Sequence, residues 1–216
     1  LKNLNQKRFL YIALCGIMLA SGFLTKGFTA LFPWCVPFLF FLFIRKKSFS
    51  RTFFDTVLII LCTVLPLLLL CLILPEAKES LHKYFEVQVI NSLKHIVTVD
   101  SRFFIVQRLF SELIPSLACL MLFIFIGWRN KFDFNQLKTT CRTAMFLLCL
   151  GLCGGVPIMI SLKQSGFYIL ATYPFFAIGL AVLVMPMMDF LFSKINFDSK
   201  TYLVFKCFAY FVLITG

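Results

Sequence analysis

Hydrophobic positions fall in long unbroken runs along this chain, and the polar positions gather in short clusters between them. Seven apolar segments result, at about Phe9–Leu24, Phe28–Ile44, Phe53–Leu74, Leu109–Trp128, Thr143–Leu162, Phe167–Met188 and Thr201–Gly216. About 20 apolar residues make a helix that spans a bilayer, so each segment is of crossing or near-crossing length. Backbone in lipid must satisfy its own hydrogen bonds, which leaves helices or a closed barrel. The runs lack the alternation of barrel strands, so the pattern predicts an all-α, polytopic transmembrane bundle of about seven crossings. Residues 1–216 read as a single transmembrane domain, an internal fragment of a longer protein truncated at both ends.

One position interrupts this pattern at high cost. From Phe9 to Ile44, Lys26 is the only charge. A continuous helix over that run would measure roughly 54 Å against ~30 Å of hydrocarbon. The run must therefore fold into two arms, and Thr25-Lys26-Gly27 is the polar break that can hold the turn. A lysine near a membrane turn costs up to about 3 kcal/mol, depending on depth, which makes it a candidate site residue. The structural reading is a lysine that snorkels to the interface.

Pro75–Arg108 is the long polar stretch. Within Glu76–Ile96, Leu81, Tyr84, Phe85, Val89 and Leu93 recur at intervals near three and four, which predicts a helical stripe lying on the membrane surface. Val97–Ser101 reads as β-like or extended. Gly151, Gly154 and Gly155 sit within a crossing and permit close helix contact. Pro157 is placed to kink that helix.

Composition sharpens the picture. The chain is 61% hydrophobic and only 14% charged, with a mean hydropathy of +0.95. Soluble domains carry about 25% charged residues, so this is an integral membrane protein. The net charge of +12 does not indicate nucleic acid, because the basic residues lie at the ends of apolar runs. Fourteen of the twenty-one lysines and arginines fall on one set of joints, including Arg45–Arg51 and Arg129–Arg142. The positive-inside rule makes that side cytoplasmic. Lys26, Pro75–Arg108 and Lys163 then share the outer face. The nine cysteines form no C-x-x-C pair, and no metal site, cofactor or structural disulfide is expected. Phenylalanine contributes 29 residues, read as packing against lipid and neighbouring helices.

The segment Gly22-Phe23-Leu24-Thr25-Lys26-Gly27-Phe28-Thr29-Ala30-Leu31 resembles a signature of the lipid A aminoarabinose transferases and the related protein mannosyltransferase-like enzymes of the GT-C class. His82-Lys83-Tyr84-Phe85 resembles an outer-loop segment of that family. Arg102-Phe103-Phe104 to Leu113-Ile114-Pro115 resembles the aromatic stretch before its next helix. Ser161 to Leu170 resembles its S-x-x-K-x-x-x-Y-x-L segment, followed by Pro174 and Ala177. The chain departs from the pattern at Ala171 and Ser116, where proline and an aromatic are usual, and at Lys163, which is displaced by one position. The resemblance runs from about Leu10 to Leu183.

The resemblance implies a glycosyltransferase that moves a sugar from a polyprenyl-phosphate donor to a glycolipid or protein acceptor at the outer face of a bacterial inner membrane. It implies that Lys26 and Tyr168, with Lys163 as a third member, hold the donor phosphate. The family's catalytic aspartate belongs to an outer loop upstream of this stretch, so no catalytic residue is expected here. Asp100, Glu86, Glu79, His82 and His95 read as solvated or interfacial. The rival class is a transporter or lipid flippase, since a broken apolar segment with a charge also marks transport sites. Against it stand the absence of repeated halves in the sequence and the placement of charges at one face.

Overall fold

A computed structural model describes residues 2–44, 48–91 and 97–194, together with 202, 203, 206 and 210. The described residues are helical throughout their regular structure. Helix α1 (Lys2–Lys26) is followed by a 3-10 segment (Gly27–Cys35), α2 (Val36–Ile44) and α3 (Phe49–Ile73). The long polar stretch forms α4 (Pro75–Lys83) and a π-helical segment (Tyr84–Ile90). Helix α5 (Phe104–Arg129), α6 (Leu137–Gly155) with its 3-10 extension (Val156–Ile160), a further 3-10 segment (Gly166–Thr172) and α7 (Tyr173–Phe192) complete the bundle.

Five helical stretches are long and apolar enough to cross a membrane: Lys7–Ile44, Phe49–Ile73, Phe104–Arg129, Thr140–Ile160 and Gly166–Phe192. Large side chains on their outer surfaces are bare, among them Met18, Leu72, Met121 and Trp128. A soluble protein does not tolerate a continuous apolar surface of this kind, and a bilayer does. The chain is thus a helical membrane protein. The segment Thr201–Gly216 lies largely outside the described residues.

The first apolar run folds in two, as the lone lysine requires. Residues 22 and 30 of a straight helix would stand about 12 Å apart along the axis. Instead, a Cβ built on Gly22 would lie 3.3 Å from that of Ala30. The reversal falls at Lys26–Gly27, where Gly27 adopts φ 70°. Side chains rarely adopt that left-handed conformation, and glycine does so without steric cost.

Two groups of helices result. α1 packs on α3, α5 and α6 both pack on α7, and the groups meet where α2 and the Gly27–Cys35 segment lie against α6. Glycines set the close approaches. A Cβ on Gly16 would stand 2.7 Å from the carbonyl carbon of Cys62, and one on Gly151 would stand 2.8 Å from the Phe176 ring. These contacts realise the small-residue packing expected of membrane helices. Hydroxyls inside the bundle bond back to their own helix. Fully buried Thr63 donates to the Ile59 carbonyl at 2.8 Å and accepts from Trp34 Nε1 at 3.3 Å. At the far end of α1 from Lys26, the Arg8 guanidinium pairs with the buried carboxylate of Asp55 on α3. That pair joins the two helices and neutralises an acid the hydropathy pattern hides within an apolar run.

Candidate functional site

The site begins at the two turns that close the hairpins α1/α2 and α6/α7. The first turn is short. α1 ends on Lys26, where the negative end of the helix dipole favours a cation. Thr25 returns its hydroxyl to the Gly22 carbonyl at 2.9 Å, and Thr29 donates to the Lys26 carbonyl at 3.1 Å. The Lys26 ammonium makes no hydrogen bond or ion pair with any described residue.

The second turn spans residues 161–165 and is tied on every side. Gln164 is only 4% exposed. Its side-chain carbonyl accepts from the Ile105 amide at 2.9 Å, in the first turn of α5. Its amide group donates to the carbonyls of Arg102 and Ser161, both at 2.9 Å. Thr98 fastens the same turn from outside. Its amide and hydroxyl donate to the Leu162 carbonyl, and the hydroxyl also accepts from the Gln164 amide at 2.9 Å. The stretch 97–101, expected to be β-like or extended, forms a tether to this turn and no strand.

Between the turns lies a cavity of about 1060 Å³, at the upper end of the range for small-molecule sites. Lys26, Thr25, Thr29, Ser80, Ser161, Lys163 and Tyr168 make its polar mouth. Leu67, Leu70 and Cys71 of α3 line one apolar wall. Phe32, Cys153, Gly154 and Pro157 line the other. A Cβ on Gly154 would stand 2.6 Å from Thr172 Cγ2, so glycine lets this wall close against the segment that leads into α7. Pro157 opens the 3-10 extension after α6 ends at Gly155, which directs the chain toward the turn.

All three residues expected to contact a donor phosphate line this one cavity. Lys26 comes from the first turn, Lys163 from the second, and Tyr168 from the 3-10 segment just after it. Tyr168 is half-buried against the core formed by Ile105, Leu109, Ile158, Ile169 and Phe176. Its ring meets Phe167 edge-on at 4.5 Å. Its hydroxyl takes no hydrogen bond from any described residue.

The Pro75–Arg108 stretch departs from the expected surface stripe. α4 ends at Lys83, residues 84–90 continue in π winding, and residues 92–96, with Leu93 and His95, lie outside the described set. Leu81, Tyr84 and Val89 line the cavity, so this face covers the site. A π segment rotates less per residue than an α-helix, which lets neighbouring side chains share a face. Tyr84 and Phe85 both reach Phe28, at ring distances of 6.3 and 5.3 Å. Glu79 and Glu86 point away into exposed pairs with Lys83 at 2.9 Å and His82 at 3.3 Å. Asp100 is exposed and does not line the cavity.

Sequence reasoning passed over Gln164, Thr98 and Asp55. A polar residue inside an otherwise apolar stretch was the available signal for Asp55. Gln164 carried none, because a glutamine in a turn is unremarkable until its surroundings are known. Comparison with protein-family models, curated proteins and solved structures found no match for this chain.

Proposed function

We propose that this chain is the membrane-embedded, donor-binding part of a glycosyltransferase that uses a polyprenyl-phosphate sugar. The observation that carries the reading is the convergence of Lys26, Lys163 and Tyr168 on one cavity whose polar mouth opens onto apolar walls. An amphiphile with a phosphate head and an isoprenoid tail matches that division. A lysine supplies a compact charge and three donors to a phosphate. Tyr168 adds a hydroxyl donor on a ring held by packing. As the bond between sugar and phosphate breaks, negative charge grows on the leaving phosphate, and a cation already in place favours that transition state. The acceptor is a hydroxyl or phosphate of a glycolipid or a protein, at the outer face of a bacterial inner membrane. The reading assigns these residues to donor binding and names no catalytic base.

The same reading counts the folded first run as two crossings. Nine residues of 3-10 helix and nine of α-helix from Gly27 to Ile44 rise about 31 Å, which matches the bilayer core. With Thr201–Gly216 the total is seven. Fourteen basic residues then face the cytoplasm, and the cavity opens outward.

The deciding experiment is sugar transfer by the intact protein in membranes. Lys26→Ala should abolish it while insertion is retained. Lys26→Arg should restore little, because a planar fork replaces a compact ammonium. Transfer at the wild-type rate by Lys26→Ala would defeat the reading. Lipid translocation without transfer would favour a flippase.

A further inference from the structure

We propose that Tyr84 is a positioning residue that seats on the Lys26 turn, fixes its backbone and closes the outer loop over the cavity. Three observations converge. First, a Cβ on Gly27 would coincide with the Tyr84 hydroxyl and stand 2.5 Å from its Cζ. Glycine is therefore needed here twice over, for φ 70° and for the space the tyrosine occupies. Second, the Phe28 amide points at the Tyr84 hydroxyl at 3.4 Å, so the loop accepts a backbone hydrogen of the turn itself. Third, the Tyr84 ring meets Phe23 before the turn at 6.0 Å and Phe28 after it at 6.3 Å. One side chain from a loop more than fifty residues away thus grips both arms of the reversal, while its own edge lines the cavity. Lys26 lies between the two gripped residues.

Ring packing carries more of this contact than the long hydrogen bond. Tyr84→Phe should then behave nearly as wild type, and Tyr84→Ala should release the turn. The seating is independent of what the cavity binds; its effect on a ligand rests on the proposed donor site.

Acetylation of the intact protein by a membrane-impermeant acyl ester, followed by peptide-level mass spectrometry, reads the seating directly. Lys83, whose side chain is 69% exposed, serves as the internal reference. Tyr84→Ala should raise the acetylation rate of Lys26 relative to Lys83 several-fold, and Tyr84→Phe should leave it unchanged. p-Azidophenylalanine at position 84 should photocrosslink to the tryptic peptide that begins at Gly27. An unchanged Lys26 rate in Tyr84→Ala, or crosslinks that avoid residues 23–32, would overturn the proposal. Farnesyl phosphate serves as the probe for the consequence. It should protect Lys26 from acetylation, at a concentration about tenfold higher in Tyr84→Ala than in wild type. Failure of farnesyl phosphate to protect wild-type Lys26 would count against the donor site, while the acetylation ratio and the crosslink still decide the role of Tyr84.

Discussion

The two hairpin turns that face the cavity reach similar ends by opposite means. The 161–165 turn is held by polar bonds: a buried glutamine ties three backbone groups, and Thr98 adds a second set from the loop. The Lys26 turn is held by shape: a left-handed glycine and an aromatic grip by Tyr84, with no side chain of another described element donating to it. Buried polar groups are costly to leave unmet, so the polar turn resists rearrangement. The packed turn leaves its lysine charge unclaimed among the described residues. Such a charge is available to a ligand, whereas one already paired would have to be released first. The polar turn presents Tyr168 as fixed scaffold, and the packed turn presents an exposed cation.

This contrast predicts that substitutions at the Lys26 turn alter function more than stability, and the reverse for the Gln164 turn. The largest effect is expected for Lys26→Ala. Removing one charge-stabilising donor commonly costs about 10²–10³ in rate. Transfer assays should show that loss, with the thermal midpoint in detergent unchanged because the side chain is exposed and has no partner among the described residues. A drop in both would mean that Lys26 serves the fold.

Gln164→Leu should do the opposite. It leaves the Ile105 amide and the Arg102 and Ser161 carbonyls without their partner. At about 1–3 kcal/mol for a buried unsatisfied group, with relaxation meeting part of the need, a loss of roughly 2–4 kcal/mol is expected. Denaturant titration in micelles checks this, and an unchanged midpoint would remove the polar-turn half of the comparison.

Tyr168→Phe sharpens the boundary between the two behaviours, since the residue follows the rigid turn yet faces the cavity. Its ring packs in the core and its hydroxyl has no described partner, so stability should hold. A hydrogen bond to a charged group is worth about 1.5–3 kcal/mol, or roughly 10- to 150-fold in donor affinity. Titration with a prenyl phosphate measures it. Equal affinity of the two proteins would mark Tyr168 as an interfacial tyrosine only.

The smallest effect belongs to Thr98→Val, which removes the hydroxyl bridging Leu162 and Gln164 but keeps the amide bond to Leu162. About 1 kcal/mol of stability should go, with transfer retained. Faster proteolysis near residue 98 is the sensitive readout.

Hydropathy alone determined that this chain is a helical membrane protein. It also determined that the run from Phe9 to Ile44 must reverse at Lys26, because a lone charge and an excess of length are both local facts. Glycine at 27 was legible as the residue able to make that turn. The tendency of Gly151 and Gly154 to bring helices close was equally readable, since both depend on the residue's own side chain. Only the tertiary structure decided that Lys26, Lys163 and Tyr168 share one cavity. Their meeting depends on α2 and the Gly27–Cys35 segment packing against α6, and hydropathy carries no information about which helices are neighbours. The same holds for Gln164 and Tyr84. A glutamine becomes a lock, and a loop tyrosine a clasp, through partners some sixty residues away, and those distances exist once the helices have found their register. The stripe Leu81, Tyr84 and Val89 was visible as apolar, but its target was not. An apolar face seeks any surface that excludes water, and here the cavity's rim competes with the bilayer for it.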